Sequence, residues 1–133
     1  MKAVKIVAIL LVIYVAIVAT FESLLGYFQP AGQGTLLITT VDGDGARHSR
    51  VVARIEDSGT LYVAANHWPR TWYYQALAQP QVDVSVEGET TTYRAVPVDG
   101  DEYDRVNNSQ PLGLVFRTLT GFPPRRLLRL EPE

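Results

Sequence analysis

The first 28 residues contain a long apolar run without charge, and this run limits how the chain can fold. Charge is absent from Ile6 to Phe21, and Glu22 is the first acidic residue. A helix that crosses a bilayer needs roughly 20 apolar residues, a length that the run reaches when it continues to Phe28. We therefore predict a single-pass transmembrane anchor over residues 1–29.

Two other interpretations of this segment stay open. A cleaved signal peptide has the same charged start and apolar centre, with only a weak cleavage site at residues 17–19, and a buried core helix is the third interpretation. Tyr27 and Phe28 are expected to act as aromatic anchors at the membrane interface. The side of the membrane also stays open, because Lys2 and Lys5 favour a cytoplasmic N-terminus and an exported domain but are a modest signal.

The composition argues against several classes of function. The chain has 133 residues and a formal net charge of −2, which argues against a general electrostatic attraction to nucleic acid. It contains no cysteine, so disulfides and thiolate chemistry are excluded. Two histidines without cysteine disfavour a multi-ligand zinc site. We predict no metal site and no nucleic-acid partner.

The rest of the chain consists of short apolar strands separated by turns. After a predicted linker over residues 30–34, a single domain is expected over residues 35–133. Val82, Val84 and Val86 alternate with polar residues, as in a strand with one buried face. Predicted strands cover residues 35–41, 47–56, 60–65, 82–88, 89–98 and 125–130, and predicted helices cover residues 71–79, 101–107 and 112–120. Six strands with few helices favour a closed or partly closed antiparallel barrel.

Two local features support this division into strands and helices. The DGDG sequence at residues 42–45 predicts a hairpin turn; it does not continue as a calcium loop, because alanine occupies two ligand positions. Asn66 is a possible N-cap of the helix over residues 71–79. Trp72, Ala76 and Leu77 have helical spacing and are expected to pack inward.

A basic strand follows the DGDG turn. Alternation along a strand places His48, Arg50 and Arg54 on one face and Arg47 on the other. Such a row of cations can be a solvated outer face. It can also be a clamp for phosphate or carboxylate groups.

Aromatic side chains are concentrated in the segment ANHWPRTWYY, residues 65–74. Trp68 and Arg70 precede the predicted helix, whose N-terminal N–H groups can attract an anion. The segment is therefore either a cap over the barrel or a platform for a planar, phosphorylated cofactor. An arginine and a loop tryptophan beside a helix N-terminus favour the platform.

The order of these segments resembles the split β-barrel flavin/deazaflavin oxidoreductase superfamily. The matching segments are LLITT, LYVAAN, LAQPQVDVSVEG, YRAVPV and RLEP. The closest branch is the deazaflavin-dependent nitroreductase or quinone reductase family, and the resemblance covers most of residues 35–132. It implies a six-stranded split β-barrel, preceded here by one transmembrane helix. It also implies FMN or a deazaflavin coenzyme in a groove, which transfers a hydride to a quinone-like or nitroaromatic acceptor.

The resemblance also implies roles for individual residues. The arginines would hold phosphates or carboxylates, the tryptophans would flank the ring, and His67 and Tyr73 are weak candidates for contact with the acceptor. The expected cofactor-binding residues are Arg47, His48, Arg50, Asn66, Trp68, Arg70 and Trp72. The expected partners are membrane lipid, quinone and a second copy of the chain.

The DGDG turn departs from the family pattern. Family members usually have a Gly-Arg-Lys-Ser-Gly-like turn followed by an arginine and a proline, whereas here the turn is acidic and His48 and Val51 occupy the last two positions. An acidic turn repels a phosphate. This departure favours a second interpretation, in which a cofactor-free barrel serves as an accessory or ligand-binding subunit of a membrane complex.

Overall fold

The computed structural model describes residues 1–27 and 34–133, without the side chains of residues 26 and 27. Most of the predicted linker, Phe28 and the side chain of Tyr27, the two predicted aromatic anchors, lie outside what is described. The elements are α1 (Lys2–Tyr27), β1 (Thr35–Val41), β2 (Arg47–Asp57), β3 (Thr60–Ala65), α2 (Thr71–Ala78), β4 (Gln81–Val86), β5 (Glu89–Pro97), α3 (Gly100–Ser109), α4 (Leu114–Thr120) and β6 (Arg126–Pro132).

The strands form a closed antiparallel barrel with the order β1-β2-β3-β6-β5-β4. Pairing of β1 with β4 closes the barrel, with Ile38 opposite Val84. The predicted fold class is therefore confirmed, and the predicted boundaries of the strands and short helices agree with the structure to within two residues. Each strand therefore pairs with a neighbour on both sides, but β2 pairs with β3 only over Ala53–Asp57, so its first half pairs with β1 alone.

The interior of the barrel is filled by the alternating apolar side chains of the strands. Trp72 and Ala76 of α2 pack against this core, as predicted, but Leu77 is 38% exposed and its predicted inward packing is wrong. Leu77 is turned about 100° from Ala76 around the helix, because an α-helix has about 3.6 residues per turn. The buried barrel core consists of Leu36, Ile38, Val52, Val63, Ala65, Val82, Val84, Ala95, Leu128 and Leu130.

A second apolar cluster lies on the outer face of β2, β3 and β6 and is covered by α3. Val106 of α3 is fully buried against Ile55, Tyr62 and Leu127. The Tyr62 hydroxyl donates to Glu102 Oε2 at 2.8 Å, which satisfies the polar end of this buried ring. Both faces of β2 are therefore occupied along part of its length.

The predicted cap of α2 is wrong. The helix begins after Arg70, which is extended and makes no side-chain capping bond. Asn66 lies too far before the first turn to reach its N–H groups, because a capping side chain bonds the N–H two or three residues later. Its Oδ1 instead accepts a hydrogen bond from Arg125 Nε at 2.7 Å.

Helix α1 is long and apolar enough to cross a membrane. An 18-residue window within Lys2–Leu25 has a mean hydropathy of 2.7. This finding rests on length and composition alone, and an N-terminal signal sequence meets the same criterion. One stripe of this helix faces the rest of the protein, with i, i+4, i+7, i+8 and i+11 spacing. Its members are Tyr14, Val18, Phe21, Glu22 and Leu25.

The partner of this stripe is α4. Tyr14 Oη donates to the Thr118 carbonyl at 2.9 Å, and the Phe21 and Phe116 rings pack edge to face with centroids 5.9 Å apart. Gly121, which follows α4 with φ +79°, allows close approach, because a Cβ there would lie 3.1 Å from Val18 Cγ1. The second half of α1 is therefore packed against the barrel domain.

We expect the variant Gly121→Ala to lower the free energy of unfolding more than the control Gly88→Ala. Both glycines have positive φ, but no atom would lie within 4 Å of a Cβ at Gly88. Each substitution should cost about 1–2 kcal/mol for the left-handed backbone, and Gly121→Ala should cost more because it crowds Val18. The measurement is chemical denaturation of the full chain in detergent. Equal losses, or no recovery when Val18→Ala is added to Gly121→Ala, would contradict the packing of α1 on α4.

Candidate functional site

A cavity of about 620 Å³ lies between β2, the start of α2 and the end of α1. It brings together four of the residues predicted to bind a cofactor: His48, Arg50, Arg70 and Trp72. Ser23 of α1 contributes to the same wall. The complete lining is Ser23, His48, Ser49, Arg50, Arg70, Thr71, Trp72 and Gln75.

A smaller cavity of about 110 Å³ shares Arg50 and Trp72 with the first. It includes two further predicted residues, Asn66 and His67. Its other walls are mostly apolar and come from α1, β2, β3 and α4. The lining is Leu25, Arg50, Val51, Val52, Ala53, Ala64, Asn66, His67, Trp72 and Phe116.

Three predicted residues line neither of these two cavities. Arg47 lies on the other face of β2, as alternation predicted, and forms an ion pair with Asp83. Trp68 donates from Nε1 to the Thr120 carbonyl at 2.8 Å, which ties the loop before α2 to α4. Tyr73 packs edge to face against Trp72 with centroids 6.0 Å apart, and burial raises the pKa of its hydroxyl.

Glu22 joins α1 to the wall of the larger cavity, and the sequence analysis did not identify it. Its side chain is 9% exposed. Oε2 lies 3.0 Å from Arg70 Nη2 and 3.4 Å from His67 Nδ1, and Oε1 accepts from the Trp68 backbone N–H at 3.3 Å. Arg70 also donates to the Glu22 backbone carbonyl. The end of α1 is therefore bound to two consecutive positions of the loop before α2, His67 and Trp68, and to Arg70, the residue that precedes α2.

Arg50 makes a second connection to α1. Its Nη2 donates to the Leu25 carbonyl at 3.4 Å, close to the C-terminal end of that helix. A guanidinium beside the last carbonyls of a helix is electrostatically favoured, because those groups carry partial negative charge. Arg50 and Arg70 are thus both held by α1 while they line the larger cavity.

The Arg70 guanidinium has an unused donor. Within residues 1–27 and 34–133, Arg70 Nε is the buried side-chain polar atom that lacks a hydrogen-bond partner. A buried donor without a partner costs free energy, and a guanidinium is suited to the oxygens of a phosphate or carboxylate. The donor set of this cavity therefore fits an anionic group.

His67 is held in a defined tautomer. Its Nδ1 lies 3.1 Å from the Trp68 carbonyl oxygen, which can only accept, so Nδ1 carries a proton and, in the neutral ring, Nε2 does not. Burial lowers the pKa of the imidazole below its ordinary value of 6.5, and the nearby Glu22 carboxylate partly opposes this shift. Burial therefore favours the neutral form of the His67 imidazole.

The Asp42 carboxylate of the acidic turn at residues 42–45 accepts hydrogen bonds from the backbone of the hairpin itself. Asp42 Oδ1 accepts from the backbone N–H groups of Asp44 and Ala46, at 2.9 and 3.0 Å. Its Oδ2 lies 2.7 Å from His48 Nε2. The hydrogen bonds with His48 and from the Ala46 N–H both lower the pKa of the Asp42 carboxyl, and the one with His48 has the larger effect. His48 therefore enters the cavity wall with a carboxylate partner of its own.

The family described as F420H(2)-dependent quinone reductase has a sequence model that matches residues 12–112. The chain belongs to this family. The sequence was predicted to belong to the deazaflavin-dependent branch of the split-barrel superfamily, and this membership confirms that prediction. The members of this branch are oxidoreductases. The match begins at Val12, within α1, so the F420H(2)-dependent quinone reductase model includes the half of the helix that packs on α4. A comparison with curated proteins finds no significant sequence match.

Solved structures share the fold at low sequence identity. An F420-H2 dependent reductase, FDR-A, is 19% identical with a TM-score of 0.60, over 78% of this chain and 99% of that one. The heme storage protein HutZ from Vibrio cholerae is 21% identical with a TM-score of 0.54, over 76% and 82%. A structure described as a domain-swapped dimer is 18% identical with a TM-score of 0.61, over 77% and 84%. These similarities support the barrel assignment for this F420H(2)-dependent quinone reductase family member.

We expect the stability of the protein to fall as the pH drops below about 6.5, and His67 to cause part of that fall. Because the folded state lowers the pKa of His67, the unfolded chain takes up a proton on this residue at a higher pH than the folded chain does. The free energy of unfolding therefore decreases from the ordinary pKa down to the folded pKa.

The measurement is chemical denaturation of the detergent-solubilised chain between about pH 5 and 8, the range in which histidine titrates. His67→Gln should give a shallower pH dependence than the unmodified protein. The unmodified protein, measured over the same range, is the reference for the slope. An unchanged slope in His67→Gln would show that the buried imidazole is not the titrating group.

Proposed function

We propose that this protein is a membrane-associated, deazaflavin-dependent oxidoreductase that passes a hydride to a quinone-like acceptor. The observation that carries the proposal is a cationic cavity in a member of the F420H(2)-dependent quinone reductase family. Arg50, Arg70 and His48 line this cavity beside the indole of Trp72. Cations around an aromatic wall suit a planar ligand that carries phosphate and carboxylate groups.

We assign separate tasks to the residues that line the two cavities. Arg50 and Arg70 bind anionic groups of the coenzyme through charge-assisted hydrogen bonds, and Trp72 forms the apolar wall against its ring. The bound deazaflavin supplies the hydride chemistry, which amino-acid side chains cannot supply. Asn66 shapes the wall of the smaller cavity while its Oδ1 holds Arg125.

We assign contact with the acceptor to His67 in preference to Tyr73. His67 lines the smaller cavity, and its Nε2 is an acceptor for a hydroxyl or a proton. Tyr73 lines neither cavity, and its ring packs edge to face against Trp72. Arg47 and Trp68 are left out of the proposed binding set, because Arg47 pairs with Asp83 on the outer face and Trp68 binds α4.

Membrane association and assembly complete the proposal. The apolar stretch Lys2–Leu25 supports a membrane anchor, which would place the cavities near a lipid-soluble quinone. We also propose a homodimer, because one structure with the same fold is described as a domain-swapped dimer. A monomeric mass for the detergent-solubilised protein would contradict that assembly.

The test is a titration of the full chain in detergent with oxidised deazaflavin coenzyme and, separately, with FMN. Loss of two charge-assisted hydrogen bonds at about 1.5–3 kcal/mol each should raise the deazaflavin dissociation constant of Arg50→Ala/Arg70→Ala at least ~100-fold. Arg47→Ala is the matched control and should change it by less than about threefold. Coenzyme fluorescence reports the binding.

Three outcomes would change the proposal in different ways. Equal affinity in the double variant and the unmodified protein would remove the two arginines from the site. Tighter binding of FMN than of deazaflavin would change the coenzyme and leave the fold-based assignment in place. If the unmodified chain binds neither, the cofactor-free accessory subunit becomes the better account.

A further inference from the structure

Helices α1 and α4 together expose a continuous apolar surface. Leu114 and Val115 of α4 are 70% and 75% exposed. Val115 and Leu119 lie four residues apart and therefore share one face of α4. Beside that face is an apolar groove of about 430 Å³, lined by Ile13, Ala16, Ile17, Thr20, Phe21, Leu24 and Leu119.

The contact between Tyr14 and Thr118 determines how deep this apolar surface would lie in a bilayer that α1 crosses. Tyr14 lies 11 residues before Leu25, which is about 16 Å along a helix. The hydrocarbon core of a bilayer is about 30 Å thick. If α1 crosses the bilayer with Leu25 at one interface, residue 14 lies near the middle. Because α4 is tied to Tyr14, the same insertion carries α4 below the membrane surface.

The acidic residue of α1 is placed as such an insertion requires. Glu22 is the acidic residue within the apolar stretch, and it faces Arg70 and His67 instead of the exposed side of α1. Ionisable residues within membrane segments face the protein interior and pair there. Arg117 is turned about 200° from Val115 on α4, and its guanidinium lies 5.5 Å from the centroid of the Phe122 ring.

We propose that α4 inserts into the bilayer beside α1, with Leu114 and Val115 in contact with lipid and acyl chains filling the groove. This inference rests on the membrane association proposed above and goes beyond a single-helix anchor. The occupant is lipid because the groove continues the exposed surface of the helix that itself has the length of a span. Insertion of α4 as well as α1 would fix the orientation of the barrel at the membrane surface, which a single-helix anchor would not do.

The test uses site-directed spin labels, which is straightforward because the chain has no cysteine of its own. Val115→Cys is the test site, Leu10→Cys in α1 is the reference for lipid exposure, and Glu89→Cys in the exposed β4–β5 turn is the reference for water. The full-length variants are reconstituted in vesicles of phosphatidylcholine and phosphatidylglycerol. Collision rates with dissolved oxygen and with a water-soluble nickel chelate are then measured.

We expect the label at Val115 to behave like the label at Leu10, with frequent oxygen collisions and nickel collisions at least about tenfold rarer than at Glu89. Nickel accessibility at Val115 equal to that at Glu89, with Leu10 still shielded, would overturn the insertion of α4 and leave the anchor intact. Nickel accessibility at both Leu10 and Val115 would overturn membrane association as well. Neither result depends on coenzyme binding, so the redox assignment is tested separately.

Discussion

The buried carboxylate of Glu22 is the interaction on which the arrangement of the site depends. Removing a carboxylate from water is costly unless it is paired and hydrogen-bonded. Here Oε2 faces Arg70 and His67, and Oε1 accepts from the Trp68 backbone. These contacts hold the loop before α2 against α1 and present Arg70 to the larger cavity. The helix that is long and apolar enough to cross a membrane is therefore also a wall of the candidate site.

Most of the fold could be predicted because its signals are local. Strands β1 and β3 were predicted with their observed ends, since β-branched runs bounded by glycine turns specify where a strand starts and stops. The alternation of Val82 and Val84 gave the buried face of β4 correctly. Closure of the barrel, by contrast, depends on pairing between distant strands. The number of strands left open whether the barrel was closed or partly closed, and the resemblance to a known family implied the six-stranded split barrel.

The candidate site was less predictable because its contacts are distant in sequence. Arg50, Arg70 and Trp72 were predicted from their residue types, and the structure brings them into one cavity. Glu22 lies 48 residues before Arg70, and an acid at the end of an apolar run gives no indication of its partner. A tryptophan in this loop was expected to form a platform for the coenzyme ring, yet the indole N–H of Trp68 donates a hydrogen bond to α4. Asn66 was predicted as a cap from local spacing but is held by Arg125.

A double-mutant cycle on deazaflavin affinity tests most directly whether α1 acts on the site through Arg70. The dissociation constant is measured for the unmodified chain, Glu22→Gln, Arg70→Gln and the double variant. Residues in direct contact typically couple by about 0.5–3 kcal/mol. We predict that Glu22→Gln changes the dissociation constant at least about threefold when Arg70 is present, and has no effect when Arg70 is glutamine. Additive effects of the two substitutions would contradict this account, because α1 would then influence the coenzyme independently of Arg70.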